Sequence, residues 1–206
     1  ASVTYRSEIE HSVNVKESFN SAGLLAGLNA APSLNTDITT PQSVNLDFQT
    51  GIMANTVAFA NVRWVDWSSF SIQPYKFGLA SKSAAIQAQT GKSEFDLVAY
   101  TDDQISATVG VGRKLNYQWA GNVSVGWDSG AGNPVTTLGP TEGYWNVGLG
   151  AQFSPTPQTF IAGGVKYFWL GDAKAQTGAQ FDTAGYVAEF KDNHAIAYGL
   201  KMGYKF

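Results

Sequence analysis

The sequence contains no cysteine and little charge: only 14% of its 206 residues are Asp, Glu, Lys or Arg, where a soluble domain usually carries about a quarter. The first absence excludes disulfides, thiolate nucleophiles and cysteine-based zinc clusters. Also missing is any apolar stretch near the ~18 residues that a membrane-crossing helix needs, so any crossing of a membrane would be made by strands. A net charge of −3 offers no surplus of cations for counterion release from a phosphate backbone, which excludes nucleic acid as a partner. The chain opens at Ala1 without an initiator Met or an apolar signal segment, which predicts either a removed targeting peptide or a start partway through a longer chain. Glycine is plentiful, at 22 residues, as are aromatics, with 6 Trp, 9 Tyr and 12 Phe. With so little charge, this composition predicts a surface that does not face water.

Apolar residues alternate with period two, the strand period, most clearly at the end of the chain. Ile196, Tyr198, Leu200, Met202, Tyr204 and Phe206 alternate with Ala197, Gly199, Lys201, Gly203 and Lys205. The opening behaves alike, with Val3, Tyr5, Ile9, Val13 and Val15 set against Thr4, Arg6, Glu8, Glu10 and Asn14. Six further strands are predicted at 42–52, 56–67, 102–115, 118–128, 143–153 and 158–170, eight in all. One face is bulky and apolar, for example Trp145, Val147 and Leu149; the other is small and polar, with Gly at 51, 110, 112, 126, 148, 150, 199 and 203. A soluble sandwich or inside-out barrel would put Thr, Lys and Glu on its wet face, whereas glycine weakens a strand unless space is wanted there. The pattern is that of a transmembrane antiparallel up-and-down β-barrel with an apolar outside and a small, polar lumen.

Connections sort by length. Those at 53–55, 116–117 and 154–157 are two to four residues long; those at 16–41, 68–101, 129–142 and 171–193 have 14 to 34. Strict alternation places the two kinds at opposite ends of the strands, as in outer-membrane barrels with short periplasmic turns and long extracellular loops, and predicts periplasmic termini. Aromatics fall toward both strand ends, as interface girdles do: Tyr5, Trp119, Phe153, Tyr204 and Phe206 near the short turns, and Trp64, Trp127, Trp145, Tyr167, Trp169 and Tyr198 near the long loops.

The stretches Tyr5-Arg6-Ser7-Glu8-Ile9-Glu10-His11, Pro41-Gln42-Ser43-Val44-Asn45-Leu46 and Val62-Arg63-Trp64-Val65-Asp66-Trp67-Ser68-Ser69-Phe70 resemble the FadL/TodX family. These are outer-membrane transporters of long-chain fatty acids and other hydrophobic compounds, and the resemblance fits the family's C-terminal half. It implies a fourteen-stranded barrel of which this single domain, 1–206, supplies the last eight strands without the N-terminal hatch. It also implies that loop 16–41 helps form an external substrate groove. Eight strands closing alone would be just wide enough for side chains or one small ligand.

Candidate ligand-binding residues are of two kinds. Leu24, Leu25 and Leu28 are apolar in an otherwise polar loop, either as groove or as a short helix packed on the rim. Phe59, Arg63, Val65 and Trp67 on one strand, and Lys166, Phe168 and Leu170 with Phe160 on another, point inward as a greasy track with a cation for a carboxylate. Trp64 and Trp67 cannot share a face in a regular strand, so a bulge near Val65-Asp66 is expected, or one of them points inward. Arg6, Glu8, Glu10, Asp47, Arg63, Lys201 and Lys205 are expected to form a paired interior charge network, with Lys201 near Glu8 if the first and last strands pair.

Catalysis finds no support. The two His, His11 and His194, have no nucleophile at a triad spacing, and Gly110-Val111-Gly112 precedes no helix that would make it a phosphate loop. The expected function is energy-independent uptake of hydrophobic compounds such as fatty acids, with no cofactor and no metal. The expected partners are outer-membrane lipid, the hydrophobic small molecule, and the outer-membrane assembly machinery through Phe206. The alternatives are a small structural or adhesive OmpA-like barrel with a plugged lumen and, last, a lipid-modifying enzyme.

Overall fold

The structure is a computed structural model that describes residues 1–20, 23, 25–139 and 141–204. Eight strands form one antiparallel sheet: β1 Ser2–Arg6, β2 Ser43–Met53, β3 Thr56–Val65, β4 Gln104–Lys114, β5 Trp119–Asp128, β6 Tyr144–Phe153, β7 Thr159–Leu170 and β8 His194–Tyr204. Spatial order follows chain order, because each short turn can only return the chain to its neighbour. The tightest turn, Ala54-Asn55, is closed by Asn55 at φ 58°, a left-handed conformation that Asn tolerates. The meander is open. Among the described residues β8 pairs only with β7 and β1 only with β2, so Lys201 and Glu8 are not brought together by strand pairing.

Two strand boundaries differ from the sequence reading. The opening strand is broken at Ser7-Glu8; its second part, Ile9–Asn14, leaves the sheet and pairs with Asn35–Thr40 of the first long loop. β1 therefore covers only Ser43–Asp47 of β2, and Tyr5 faces Val44 near the long-loop end, not the short-turn end. The third strand stops at Val65: Asp66 turns the chain at φ −76°, ψ 63°, and Trp67–Ser69 is a 3-10 turn. No bulge at Val65-Asp66 is needed, since Trp67 is no longer part of the strand. The register shift lies instead in β2, between Gly51 and Met53.

The stretches that carry the family resemblance prove to be joints at the long-loop rim. The Tyr5 hydroxyl donates to Gln42 Oε1 at 3.0 Å, and Gln42 Nε2 donates to Asp66 Oδ2 at 3.0 Å. Trp64 Nε1 and the Ser68 hydroxyl donate to the two oxygens of Asp103 at 3.0 and 2.6 Å. The Ser68 hydroxyl, helped by the Ser68 amide and the Trp64 indole, holds the Asp103 carboxyl below its ordinary range against the upward push of burial.

Beyond the rim the long loops form a layer of their own. It contains α1 Tyr75–Ser81, α2 Ala84–Thr90, a Ser71–Ile72/Val98–Ala99 ribbon and a three-stranded sheet of Val135–Thr136, Ala173–Gln176 and Ala188–Phe190. The α1 amides of Lys76 and Phe77 each donate to the Glu17 carboxylate at 2.8 Å, which satisfies donors that a helix start leaves open. The clustered apolar core also lies here, where Val135, Ala173 and Ala175 pack with Ala188 and Phe190. The bulky face of the large sheet is bare by comparison: Trp145 is 57% exposed and Leu149 58%.

Candidate functional site

Directly opposed residues in an antiparallel sheet share a face, so the pairings fix which side chains stand together. At one level run Gly51, Val57, Gly112, Asn122, Gly150, Gly164 and Gly199, one from each strand β2 to β8. The next level toward the long loops holds Phe59, Gly110, Ser124, Gly148, Lys166 and Ala197. Toward the short turns it holds Lys114, Ala120, Gln152, Ala162 and Lys201. A cavity of about 800 Å³ collects Val57, Phe59, Gly112, Asn122, Gly164 and Lys201. Only a sheet curved around its small, polar face lets β3 and β8 line one cavity, so that face is the inner one.

The inner glycines are of two kinds. At Gly110 a Cβ would lie 2.6 Å from the Val123 carbonyl oxygen and closer still to the Phe59 ring. A Cβ at Gly126 would be 2.5 Å from Asn146 Nδ2, and one at Gly150 would be 2.7 Å from Asn122 Nδ2. Each of these glycines lets a neighbouring side chain lie flat against the backbone. Gly51 and Gly199, by contrast, have nothing within 4 Å of a Cβ. The inner face is thus filled over Gly110, Gly126 and Gly150 and bare at Gly51 and Gly199, the two ends of the glycine level that forms the waist of the cavity.

The expected site residues fall on successive levels of this face. Phe59 and Lys166 share one, Asn61 and Phe168 the next, Arg63 and Leu170 the one beyond. They belong to β3 and β7, four strands apart, or roughly 19 Å along the sheet at about 4.8 Å per step. Phe59 lines the large cavity, and Lys166 lines an adjoining one of about 380 Å³. Phe168 packs edge-on to Tyr144 at 5.2 Å. Val65 is buried at the head of β3. Trp67 is not on this face: it packs on Phe70 and Tyr100 at 5.3 and 5.0 Å and lines a separate cavity of about 170 Å³ among the long loops. Leu25, at the start of the 3-10 segment Ala26–Ala30, and Leu28, within it, are half-buried, while Leu24 and the terminal Lys205 and Phe206 lie outside the described residues. That segment is tied to α1 by Lys76 Nζ, which donates to the Asn29 carbonyl at 3.1 Å.

The expected interior charge network is not formed. The ion pairs among the described residues are Lys82–Glu94, Lys92–Asp182 and Lys191–Glu189, all in the loop layer. Arg6, Arg63, Lys114, Lys166 and Lys201 stand on the inner face without a carboxylate partner among the described residues. Asp47 on the same face receives Asn61 Nδ2 at 2.7 Å, and Asp128 receives Gln104 Nε2 at 2.7 Å. Glu8 lies in the strand break and Glu10 on the outlying ribbon, which removes two of the anions counted from the sequence. What sequence reasoning missed is the alignment of Val57, Asn122 and the glycines at one level, because register is invisible to periodicity within a single strand.

The outer face carries two aromatic belts. Trp127, Trp145, Trp169 and His194 share one level and Trp119 and Phe153 another, with rings 6.4 Å apart in the Trp127–Trp145 pair and 4.8 Å in the Trp119–Phe153 pair. Tyr198 is placed differently from expectation, at mid-height opposite Val165.

No protein-family model matches the sequence, and no curated protein matches it. Among solved structures, a crystal structure of a Pseudomonas aeruginosa FadL homologue superposes with a TM-score of 0.57 at 15% identity, over 85% of this chain and 41% of that one. The chain therefore spans about two-fifths of that protein's length and shares its fold over the part it covers.

Proposed function

We propose that this chain forms the wall of an outer-membrane β-barrel channel for energy-independent uptake of hydrophobic compounds such as long-chain fatty acids. The observation that carries the reading is the glycine level, where five of seven inner positions are glycine and a cavity of about 800 Å³ opens beside Phe59 and Val57. A filled structural barrel has no use for such a level, because glycine weakens strands. A plugged, OmpA-like lumen would also pair its buried charges, and none of the described ion pairs lies on the inner face.

The outer face supports a bilayer setting. Its exposed apolar residues form a continuous surface far beyond what a soluble monomer shows. Trp119 and Trp127, which mark the two belts on β5, are eight residues apart, roughly 27 Å along the strand at about 3.4 Å per residue. Tilted by about 40°, this becomes roughly 21 Å, close to the ~25 Å apolar band of outer-membrane barrels. Uptake then rests on partition: the tail leaves water for Phe59, Phe168 and Leu170, and an unpaired Lys166 or Arg63 meets the carboxylate. Lipid surrounds the bulky face, the termini belong to the periplasmic side, and Phe206 serves as the signal to the assembly machinery. No step requires bond chemistry or a cofactor.

Uptake of radiolabelled oleate by cells displaying the protein tests this reading against Gly199→Ala and Gly199→Phe. A Cβ at position 199 meets nothing within 4 Å, and heat-modifiability in outer-membrane fractions checks that both variants are assembled. The alanine variant transports like wild type, and the phenylalanine variant, with a ring standing in the waist, loses most of its uptake. Equal rates for all three proteins would overturn the channel reading.

A further inference from the structure

The cavity of about 170 Å³ at the long-loop end shares Gln104, Asp128 and Tyr144 with the inner face but has a different chemistry from the glycine-level cavity. It is lined by Trp67, Tyr100 and Tyr144, by the Gln104 and Asp128 side chains, and by glycine backbone. Trp67, Phe70 and Tyr100 form a mutually packed cluster with ring centroids 5.0 to 6.0 Å apart, which holds the aromatic wall in place. No Lys, Arg or His lines the cavity.

Asp128 is 6% exposed, so its carboxylate has lost nearly all contact with bulk water. One oxygen is fixed: Oδ1 accepts Gln104 Nε2 at 2.7 Å and the Gly130 amide at 2.9 Å. Oδ2 receives no hydrogen bond and no cation among the described residues. Oδ2 is therefore the accessible oxygen of an otherwise buried side chain, free to accept a cation that enters the cavity. The surroundings add to the negative potential: burial and then Asp102 and Asp128 push the neighbouring Glu142 carboxyl above its ordinary range. Among the described residues no group of three Asp, Glu or His is placed to hold a metal ion, and indole and phenol faces do not ligate one. They do attract an alkylammonium, through the negative face of the ring.

We propose that this cavity binds a small organic ammonium, with its cationic head against Asp128 and its alkyl groups against Trp67, Tyr100 and Tyr144. Its volume equals that of about five or six waters at ~30 Å³ each, which limits the ligand to a choline-sized head. Asp128 and Tyr144 share a level with Arg63 and Leu170, but no residue of the glycine level lines this cavity, so the choline titration and the Gly199 uptake test fail independently. Calorimetric titration of the detergent-solubilised full chain with choline tests it, with 3,3-dimethylbutan-1-ol as the uncharged isostere and CaCl₂ as competitor. Choline binds; the alcohol binds at least tenfold more weakly, and calcium does not displace choline. Asp128→Asn, which keeps the side-chain shape and the Gln104 contact, lowers choline affinity tenfold or more, and Tyr100→Leu lowers it severalfold with the carboxylate intact. Absence of choline binding, equal affinity for the alcohol, displacement by calcium, or a Tyr100→Leu variant that binds like wild type would each overturn the assignment.

Discussion

The contrast between the two kinds of inner glycine gives a stability experiment with opposite signs for the same chemical change. At Gly110 a methyl group would meet the Val123 carbonyl oxygen at 2.6 Å, with the Phe59 ring closer still. The ring can swing away; the carbonyl, held in the sheet, cannot. Overpacking of this kind costs about 1–3 kcal/mol. At Gly199 a methyl group meets nothing within 4 Å, and replacing a strand glycine by alanine removes a backbone-entropy penalty of about 0.5–1 kcal/mol. Gly110→Ala should therefore fall below Gly199→Ala by about 1.5–4 kcal/mol, one to three powers of ten in the folding equilibrium. Urea unfolding in lipid vesicles, followed by tryptophan fluorescence, measures both midpoints. Adding Phe59→Ala to Gly110→Ala should recover only the part of the loss that belongs to the ring, because the carbonyl contact persists. Equal destabilisation by the two alanines, or full rescue by Phe59→Ala, would refute the division into filled and open glycines.

The rim carboxylates respond to pH in opposite directions. Glu142 has a folded-state pKa above its ordinary 4.5, so the folded chain holds its proton more tightly. The resulting stability is complete below pH 4.5 and is lost as pH rises through the folded value. Glu142→Gln should therefore raise the melting temperature at pH 8, by about 2–4 °C for each kcal/mol relieved in a chain of this size, with the gain shrinking toward pH 4.5. Asp103 lies below its ordinary 3.8; its contribution is present above that value and lost as pH falls through the folded one. Asp103→Asn should cost stability at pH 7 and progressively less as pH falls below 3.8, as melting curves across that range will show. Glu17→Ala, which removes the acceptor of two α1 amides, should cost that helix about 0.5–2 kcal/mol. Hydrogen exchange at Lys76 and Phe77 would then speed up by up to roughly thirtyfold while β3 to β7 keep their protection.

Much of the sheet was legible in the sequence because a strand's two faces follow from backbone geometry alone. Ile105 to Leu115 or Trp145 to Phe153 can be read without knowing any neighbour. Height within the sheet cannot be read this way. Tyr5 and Tyr198 were placed by their distance from a segment end, whereas the pairings of Tyr5 with Val44 and of Tyr198 with Val165 decide their level. Trp67 looked inward only because the strand was carried two residues too far; the Asp66 turn and the Asp103 clamp that stop it depend on a residue 37 positions away from Asp66. Loop strands such as Val135–Thr136 are two residues long, too short for any period to show. Within the candidate site, the side chains of β3 and β7 were readable, while the waist between them exists only when six separate registers coincide.

The unpaired margin of β8 has a further consequence. Among the described residues, one row of amides and carbonyls along His194–Gly203 has no partner in the sheet, and an orphaned backbone group that is kept from water is costly. Such a margin acts as a template. Whatever segment zips onto it inherits its phase, with greasy positions abreast of Ile196, Leu200 and Met202 and compact ones abreast of Gly199 and Lys201. A mismatched applicant would bring a bulky group into the waist and a polar one onto the bulky apolar face, so this bare selvage dictates the binary pattern of its neighbour before any specific contact is made.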